Sequence, residues 1–291
     1  MQVSGFTFIR NAITYDYPIV EAIQSILPIC DEIIVAVGKS EDATLDLIKS
    51  INPQKIKIIE TIWDDSLRAG GKVLADETDK AFKAISKEAD WAFYIQGDEV
   101  VHEDDLEKIK AVMLRWKDVP KVDGLLFNYR HFYGSYDYIG TNSRWYPYEI
   151  RIIRNRPDIF SYQDAQGFRK GENEKLNVKP IDAYIHHYGW VKEPEIQQKK
   201  RENFNKYWHS DDWMEKNVHA QNDFAYEEGM HSLTRFTGTH PKVMQERIES
   251  KNWKFDHDIS VDRTTLKEKI KASIKKYTGF DFSYRNYRLL K

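Results

Sequence analysis

Two adjacent acids, Asp98 and Glu99, carry the strongest chemical signal in this sequence. They come shortly after the apolar run 91–95, which predicts a buried strand. Carboxylate oxygens at the end of a strand offer the ligands that a hard divalent cation takes together with substrate phosphates. The alternative is a strand-end turn in which the acids precede and cap a helix that begins near residue 103.

A second signal is the pair His186-His187, which ends another predicted strand. Neighbouring side chains on a strand point to opposite faces, so at most one of these imidazoles faces a site next to Asp98. The alternative is that each histidine is a partly buried residue whose ring nitrogens are satisfied within the core.

Alternating strands and helices must position these side chains. Strands predicted at 3–9, 33–37, 56–59 and 91–95 alternate with helices predicted at 20–27, 43–51, 75–89 and 103–114. This order predicts an α/β fold, a mostly parallel Rossmann-like sheet with helices on both faces. Ligands of such sheets bind beyond the carboxyl ends of the strands. The polar residues at those ends are Arg10, Asn11, Lys39, Ser40, Asp42, Gln96, Asp98 and Glu99. Neither a GxGxxG nor a GxxxxGK[ST] motif follows any strand, which argues against dinucleotide and P-loop sites.

The second half of the chain has a different pattern. From 122 to 188, short aromatic-rich segments separated by Gly, Asn and Pro predict a mixed or antiparallel extension of the sheet. Helical patterns dominate after Pro194. We therefore place a soft boundary between a domain at 1–191 and a mainly helical C-terminal region at 192–291.

Composition limits the class of protein. The 291 residues include 44 basic and 46 acidic side chains, a formal charge of −2 that argues against a dedicated nucleic-acid binder. The single cysteine, Cys30, excludes internal disulfides and a cysteine-caged zinc site. No signal-peptide pattern and no apolar run of membrane-spanning length is present, so we expect a cytoplasmic protein.

Together these segments resemble the family 2 glycosyltransferases, which have the GT-A fold. The loop 38–44 is similar to the family's nucleotide loop, and 91–99 is similar to the strand that leads into its DxD motif. Here the motif is a QxDE variant, with Gln96 in the place of the first Asp. Segment 187–190 is similar to a late motif of a bacterial branch of the family. The resemblance covers residues 3–191.

The resemblance implies an inverting, metal-dependent glycosyltransferase. It would move a sugar from a nucleotide-diphosphate sugar to a glycan or lipid-linked acceptor in cell-surface polysaccharide biosynthesis. Asp98 and His187 would hold Mn²⁺ or Mg²⁺, and imidazole suits Mn²⁺ better. Gln96 is a neutral, poorer metal ligand, and the loop lacks the acid that contacts the base, so the base stays open. The residues expected to bind the donor are Arg10, Asn11, Lys39, Asp42, Arg68, Lys72, Gln96, Asp98 and Glu99. For Arg68 and Lys72, a solvated basic loop is the alternative.

An inverting transfer also needs a carboxylate as general base, which we expect on the acceptor side. Asp164, after a predicted strand, is the first candidate. Glu149 is the second, although strand alternation also allows it to form a structural salt bridge with Arg151. Aromatic residues crowd 129–148, where some rings could stack on sugars and others must fill the core.

The C-terminal region contains a basic amphipathic helix predicted at 264–277. Such a helix is compatible with peripheral contact of 264–291 with the inner face of the membrane, with docking on the catalytic domain, or with a homodimer contact.

Two other functions stay open. One is a catalytically idle relative that binds a nucleotide sugar or a glycan, with Gln96 as a sign of lost metal binding. The other is a nucleotidyltransferase, which would normally have a Gly-rich basic loop after the first strand, whereas Asn11 is followed by Ala12 and Ile13.

Overall fold

A computed structural model gives the fold of residues 1–67, 69–142, 145–217, 223–227, 232–259, 266–278 and 285–290. The strands are β1 (Val3–Ile9), β2 (Glu32–Gly38), β3 (Ile56–Thr61), β4 (Trp91–Tyr94), β5 (Glu99–Val101), β6 (Gly124–Tyr133), β7 (Ser135–Gly140), β8 (Tyr148–Arg154), β9 (Ile159–Tyr162), β10 (Gly167–Lys170), β11 (Glu174–Lys175), β12 (Asn177–Trp190), β13 (Leu233–Arg235) and β14 (Arg288–Leu289). The helices are α1 (Ile19–Ile26), α2 (Thr44–Ile51), α3 (Lys72–Lys83), α4 (Leu106–Trp116), α5 (Pro194–Lys206), α6 (Asp211–Asn217), α7 (Gln245–Glu249) and α8 (Leu266–Thr278).

One large sheet organises the molecule, with the strand order β3-β2-β1-β4-β8-β6-β7-β13. Strands β3, β2, β1 and β4 are parallel, and β8 is antiparallel to both β4 and β6. Strand β12 lies parallel to β6 and also pairs with β5 and β14. Strands β1 to β4, β6 and β12 therefore run in one direction, which confirms the predicted mostly parallel α/β sheet.

Helices cover both faces of this sheet because its buried strands are apolar on both sides. In β2, Ile33 and Val35 face the cluster that includes α1, α2 and α4. Ile34 and Ala36 face the opposite cluster, which includes α3. The alternation along one strand thus anchors helices on two sides and leaves the strand ends as the place for polar side chains.

Helix α3 differs most from the sequence prediction, since it spans Lys72–Lys83 rather than 75–89. It begins directly after Gly71, whose φ of 69° lies in the left-handed region that glycine tolerates. It ends early, and the Ser86 N–H that follows donates to Glu32 Oε1 at 2.6 Å rather than to a helix carbonyl.

The described part of the predicted C-terminal region contains α5 to α8 and the short strands β13 and β14. The boundary near 191 stays a prediction. On α8, Leu266, Ile270 and Tyr277 of the predicted apolar stripe are exposed to solvent. Residues 264 and 265 lie outside the described part of the chain. In that described part, no helix has both the length and the apolarity to cross a bilayer.

Candidate functional site

A cavity of about 480 Å³ lies beyond the carboxyl ends of β1 and β4, where ligands of parallel sheets bind. Helix α5 and the end of β12 form its other walls. Five of the residues singled out in the sequence line it together: Arg10, Gln96, Asp98, Asp164 and His187.

Strand pairing brings Asp98 and His187 together. Strand β5 is antiparallel to β12, in a register that sets Glu99 opposite His187. The Tyr188 N–H also donates to the Asp98 carbonyl at 2.8 Å. As a result, His187 Nε2 lies 3.7 Å from Asp98 Oδ2, although the two residues are far apart in sequence.

Asp98 is a buried carboxylate with a cationic partner. Lys200 of α5 donates to Asp98 Oδ2 at 3.0 Å and to the Gly189 carbonyl at 2.9 Å. Burial would raise the pKa of Asp98, but the opposing effects of Lys200, His187 and Lys192 together outweigh it. The pKa of Asp98 therefore lies well below its ordinary value, and the group is ionised at neutral pH.

A chain of hydrogen bonds fixes the tautomer of His187. His131 Nε2 lies 3.0 Å from the Tyr146 carbonyl, which can only accept, so this nitrogen carries the proton. Burial lowers the pKa of both His131 and His187, so both rings are neutral at pH 7. His131 Nδ1 must then accept from His187 Nδ1, 3.2 Å away. His187 Nε2 is left without a proton, and its lone pair is available on the side of Asp98.

Asp98 and His187 fit a divalent cation. A Cβ at position 189 would lie 2.5 Å from His187 Nε2 and 2.6 Å from Asp98 Oδ2, and Gly189 leaves that space open. A carboxylate oxygen and a neutral imidazole are suitable ligands for Mn²⁺ or Mg²⁺, with other positions left for phosphate and water. The ammonium of Lys200 shows that the same oxygen already attracts positive charge.

Glu99 does not line this cavity and supports it from behind. The side chain is fully buried, and Arg151 forms a two-point pair with it at 2.5 and 2.7 Å. Tyr129 Oη donates to the same carboxylate, and the Gln96 N–H donates to it at 3.1 Å. The Glu99 carboxylate therefore stabilises the turn that contains Asp98.

Basic side chains from two parts of the chain line the cavity. Lys200 and Arg201 of α5 line it, and Arg10 lines it from the end of β1. Lys192 is fully buried behind them, and its ammonium donates to the Asp16 carbonyl. Burial, followed by repulsion from Lys200, lowers the pKa of Lys192 to about 7.

An aromatic group flanks Arg10 at one end of the cavity. The Arg10 guanidinium lies 5.5 Å from the Trp63 ring centre, and Trp63 is 5.4 Å from Tyr207 and 5.8 Å from Phe8. All four side chains line the cavity. Aromatic faces next to a cation can stack on a planar heterocycle and contact its polar edge.

Asp164 lies in the turn between β9 and β10. Its neighbours Gln163 and Ala165 have positive φ angles of 54° and 62°, which are unusual for residues with a side chain. Gly71 lies against Asp164, since a Cβ on that glycine would be 2.8 Å from Asp164 Cβ. Burial raises the pKa of Asp164, while its own N–H and that of Gln166 lower it. Backbone strain of this kind concentrates at functional positions.

Glu149 lines a smaller pocket next to the cavity, and Asp164 lines both. Burial is the main cause that raises the pKa of Glu149 to about 8. Arg151 is only a distant partner of Glu149, at 3.9 Å, because its guanidinium pairs with Glu99.

Four other predicted donor-binding residues do not line the cavity. Asn11 Oδ1 accepts from the Glu41 N–H at 2.8 Å, and Asp42 accepts from Thr14 and Thr44, so both residues connect loops. Lys39 and Lys72 are exposed. Arg68 lies outside the described residues.

The sequence interpretation did not single out Lys192, Lys200 and Arg201 as site residues, or His131 as the partner that orients His187. A signal for α5 was present, since Gln197, Lys200, Arg201 and Phe204 recur at helical spacing and all line the cavity. In the sequence alone, this pattern resembles a solvated basic face.

Comparison with known proteins finds similarity at the level of structure. No protein-family model matches the chain, and a search of curated proteins finds no match. S. aureus TarS 1–349 is 14% identical, with a TM-score of 0.41, over 70% of this chain and 64% of that chain. The match to a second TarS structure covers 39% of its chain. This chain therefore spans less than two thirds of the TarS chains that it matches.

Two further solved structures show similarity of the same order. The 4-diphosphocytidyl-2C-methyl-D-erythritol synthase from Anaerococcus prevotii is 14% identical over 71% of this chain and 97% of that chain, with a TM-score of 0.37. Glucosyl-3-phosphoglycerate synthase from Mycobacterium tuberculosis, in complex with Mn²⁺, UDP and glucosyl-3-phosphoglycerate, is 16% identical over 46% of this chain and 45% of that chain, with a TM-score of 0.31. At these values the comparisons decide neither the activity nor the substrates of this chain.

Proposed function

We propose that this protein is a GT-A type glycosyltransferase of the family 2 kind, which transfers a sugar from a nucleotide-diphosphate sugar to an acceptor hydroxyl with inversion. The observation that supports this proposal best is the placement of Asp98 and His187 beside Lys200, with the carboxylate of Asp164 in the same cavity. The cavity thus combines a place for a cation, positive charge for phosphates and a carboxylate that can accept a proton.

The diphosphate belongs at the Asp98 end of the cavity. Asp98 and His187 would hold Mn²⁺ or Mg²⁺, which neutralises charge on the leaving diphosphate when it is bound. Lys200 and Arg201 add fixed positive charge next to it. Fixed charges that face the charge developed during the reaction stabilise the transition state because they need no reorganisation.

The nucleoside belongs at the aromatic end. Trp63, Tyr207 and Phe8 offer faces for a base, and Arg10 offers donors to its polar edge or to a phosphate. Gln96 donates its amide to the Ala165 carbonyl at 3.2 Å, which fixes the side chain at the wall of the cavity. The residues leave the identity of the base open.

Asp164 is our first choice as general base, and Glu149 is the second. In the transfer, Asp164 accepts the proton of the acceptor hydroxyl while the new bond forms between that oxygen and the anomeric carbon. The bond from the anomeric carbon to the diphosphate oxygen breaks in the same step, and its electron pair leaves with the nucleoside diphosphate. A single in-line displacement inverts the anomeric centre.

The wider role we propose is synthesis of a surface glycan in the cytoplasm, on a saccharide or lipid-linked acceptor. Contact of 264–291 with an anionic membrane fits the exposed Leu266, Ile270 and Tyr277, and a homodimer contact through the same stripe is the alternative.

An idle nucleotide-sugar binder is the second candidate function, because Gln96 replaces an acid. Two features favour an enzyme over that candidate. The hydrogen bond from His187 to His131 leaves the Nε2 lone pair available beside Asp98, and the turn at Asp164 contains two residues with positive φ angles.

The test is the turnover of nucleotide-diphosphate sugars with Mn²⁺, by wild type, Asp164→Asn and the matched control Asp158→Asn, whose side chain pairs with Arg156 at the other end of β9. We expect release of nucleoside diphosphate by wild type and the control. The rate for Asp164→Asn should be lower by about 10²- to 10⁴-fold, the usual contribution of a general base. Tight donor binding without any turnover by the wild type would instead support the idle binder.

A further inference from the structure

The side chain of Lys192 is a buried cation that plays no part in the proposed transfer. Its ammonium donates to the Asp16 carbonyl and lies 5.0 Å from the centre of the Tyr17 ring. No carboxylate of the described residues forms an ion pair with it. Burying a cation without an acidic partner costs stability, and groups perturbed in this way concentrate at functional sites.

A second cation, Arg247 of α7, holds the same loop residue. Its guanidinium pairs with the Asp16 carboxylate and also donates to Glu21 Oε1 at 3.0 Å. Lys192 thus contacts the carbonyl of Asp16, and Arg247 contacts its carboxylate. One residue of the loop after β1 is therefore tied to two separate segments from the second half of the chain.

The backbone of this loop has a conformation that needs such support. Asp16 has a φ of 47°, and Asn11, at the beginning of the same loop, has a φ of 53°. Both values lie in the left-handed region, which is uncommon for residues other than glycine. Strain of this kind persists only where the surrounding structure fixes it. The contacts from Lys192 and Arg247 do so at Asp16.

The residue that this arrangement positions is Tyr17, directly after Asp16. Its ring lines the main cavity and lies 4.8 Å from the Lys200 ammonium. Burial, followed by the nearby Asp98 carboxylate, raises the pKa of Tyr17, so its hydroxyl is neutral at pH 7. An aromatic face attracts a neighbouring ammonium. Tyr17 therefore helps to keep Lys200 beside Asp98, at the end of the cavity where we place the diphosphate.

Packed parts of the fold fix the positions of both cations. Tyr226 Oη accepts from the Lys192 N–H at 3.3 Å and donates to the Lys192 carbonyl at 2.8 Å. Met244, immediately before α7, is fully buried in a cluster with Tyr188 and Val191. The position of Asp16 is thus set from outside its own loop.

We propose that Arg247 and Lys192 are positioning residues of the donor site, which hold Asp16 so that Tyr17 keeps Lys200 in place for the diphosphate. This inference rests on the proposed function and adds to it a role for α7, none of whose residues lines the cavity. Without either contact the strained loop can relax, and the site for the diphosphate is no longer preorganised.

The first test compares Arg247→Met with the matched control Arg156→Met. Arg156 also bridges two acids, Asp123 at 2.9 Å and Asp158 at 2.6 Å, but does not line the cavity. The measurement is calorimetric titration of the full-length protein with UDP and with GDP in the presence of Mn²⁺. We expect Arg247→Met to raise the Kd by about tenfold, because preorganisation is lost, and the control to leave it within about twofold. Equal changes in the two variants overturn the inference.

A double variant separates positioning from a general loss of stability. Asp16→Gly removes the carboxylate at a position where glycine accepts the positive φ, and it tests the same contact if Arg247→Met does not fold. We expect Asp16→Gly to raise the Kd and the addition of Arg247→Met to raise it little further, because both changes remove one interaction. Independent, multiplying effects on the Kd overturn the inference.

Two more variants and the kinetics complete the test. Lys192→Met removes the donor to the Asp16 carbonyl and should also raise the Kd, whereas Arg247→Lys should recover part of the affinity lost in Arg247→Met. In turnover of nucleotide sugars, Arg247→Met should raise the donor KM by a larger factor than it lowers kcat. An unchanged Kd in Lys192→Met overturns the inference. A wild type that binds no nucleoside diphosphate contradicts the proposed function instead, so the two failures are distinguishable.

Discussion

The ammonium of Lys200 lies 3.0 Å from Asp98 Oδ2, the same carboxylate oxygen that faces His187 Nε2. A helix of the C-terminal region thus provides the nearest positive charge to the acid that follows the fourth parallel strand. In the absence of another cation, this contact keeps a buried carboxylate ionised and in position.

Lys200→Met should therefore destabilise the protein and increase its response to metal. Removing one partner of a buried ion pair usually costs about 3–5 kcal/mol, because the other charge stays buried. A divalent cation would restore the lost positive charge, so Mn²⁺ should raise the Tm of the variant more than that of wild type. Lys199→Met is the control, since Lys199 pairs with Glu195 on the exposed side of the same helix. Equal Mn²⁺-induced shifts in all three proteins would contradict this role of Lys200.

Gly189→Ala tests the space between the two proposed metal ligands. The added methyl group would lie 2.5 Å from His187 Nε2 and 2.6 Å from Asp98 Oδ2, so it occupies the volume that a cation needs. We expect Mn²⁺ binding, followed by electron paramagnetic resonance, to be lost. A variant with wild-type Mn²⁺ affinity would show that the cation lies elsewhere.

His131→Leu tests the hydrogen-bond chain behind His187. Without the acceptor at His131 Nδ1, the His187 proton is no longer held on Nδ1, and the lone pair on Nε2 is no longer assured. Loss of such a supporting group typically lowers metal affinity by about 10- to 100-fold. The measurements are Mn²⁺ titration and, on the metal-free protein, ¹⁵N NMR of the histidine tautomers, and His257→Leu, at a position that does not line the cavity, is the control. An unchanged His187 tautomer in His131→Leu would contradict this role of His131.

Glu149 predicts a pH dependence of stability. Its pKa is raised from the ordinary value of 4.5 to about 8, so the folded protein binds more protons than the unfolded chain between these values. The free energy of unfolding should be highest below pH 4.5 for this group and fall as pH rises toward 8, by up to about 1.4 kcal/mol per pH unit. Urea unfolding of Glu149→Gln should show a smaller fall over this range than the exposed control Glu172→Gln. Parallel curves would mean that Glu149 ionises normally.

Local sequence patterns predicted the parallel strands of the central sheet well. Strand β1 has the predicted bounds, and β2 to β4 lie where apolar β-branched or aromatic runs placed them. Asp98 was recognisable because it comes shortly after such a run. His187 was placed at the end of a predicted strand, whereas β12 continues to Trp190. The geometry of a parallel sheet then brings its strand ends to one edge.

Long-range pairings are what local patterns could not predict. Lys200 lies 102 positions from Asp98, and Arg151 lies 52 positions from Glu99. In both cases the charge of each residue is visible in the sequence, but the partner of Lys200 depends on where α5 lies, and that of Arg151 depends on how β8 lies relative to β5. For Asp42, the place in a loop suggested donor binding. In the structure, its carboxylate accepts hydrogen bonds from Thr14 and Thr44.

The most direct test of the account is nucleotide binding to wild type and Asp98→Asn, measured by thermal shift with UDP, GDP, CMP and dTDP, with and without Mn²⁺. A ligand at 100 times its Kd stabilises the native state by about 2.7 kcal/mol. We predict that one nucleoside diphosphate raises the Tm of wild type only when Mn²⁺ is present. Asp98→Asn should lose this shift, and Asp46→Asn, exposed on α2, should keep it. The proposed donor site would be contradicted if none of the four nucleotides raised the Tm. It would also be contradicted if the Tm shift persisted without Mn²⁺ and in Asp98→Asn.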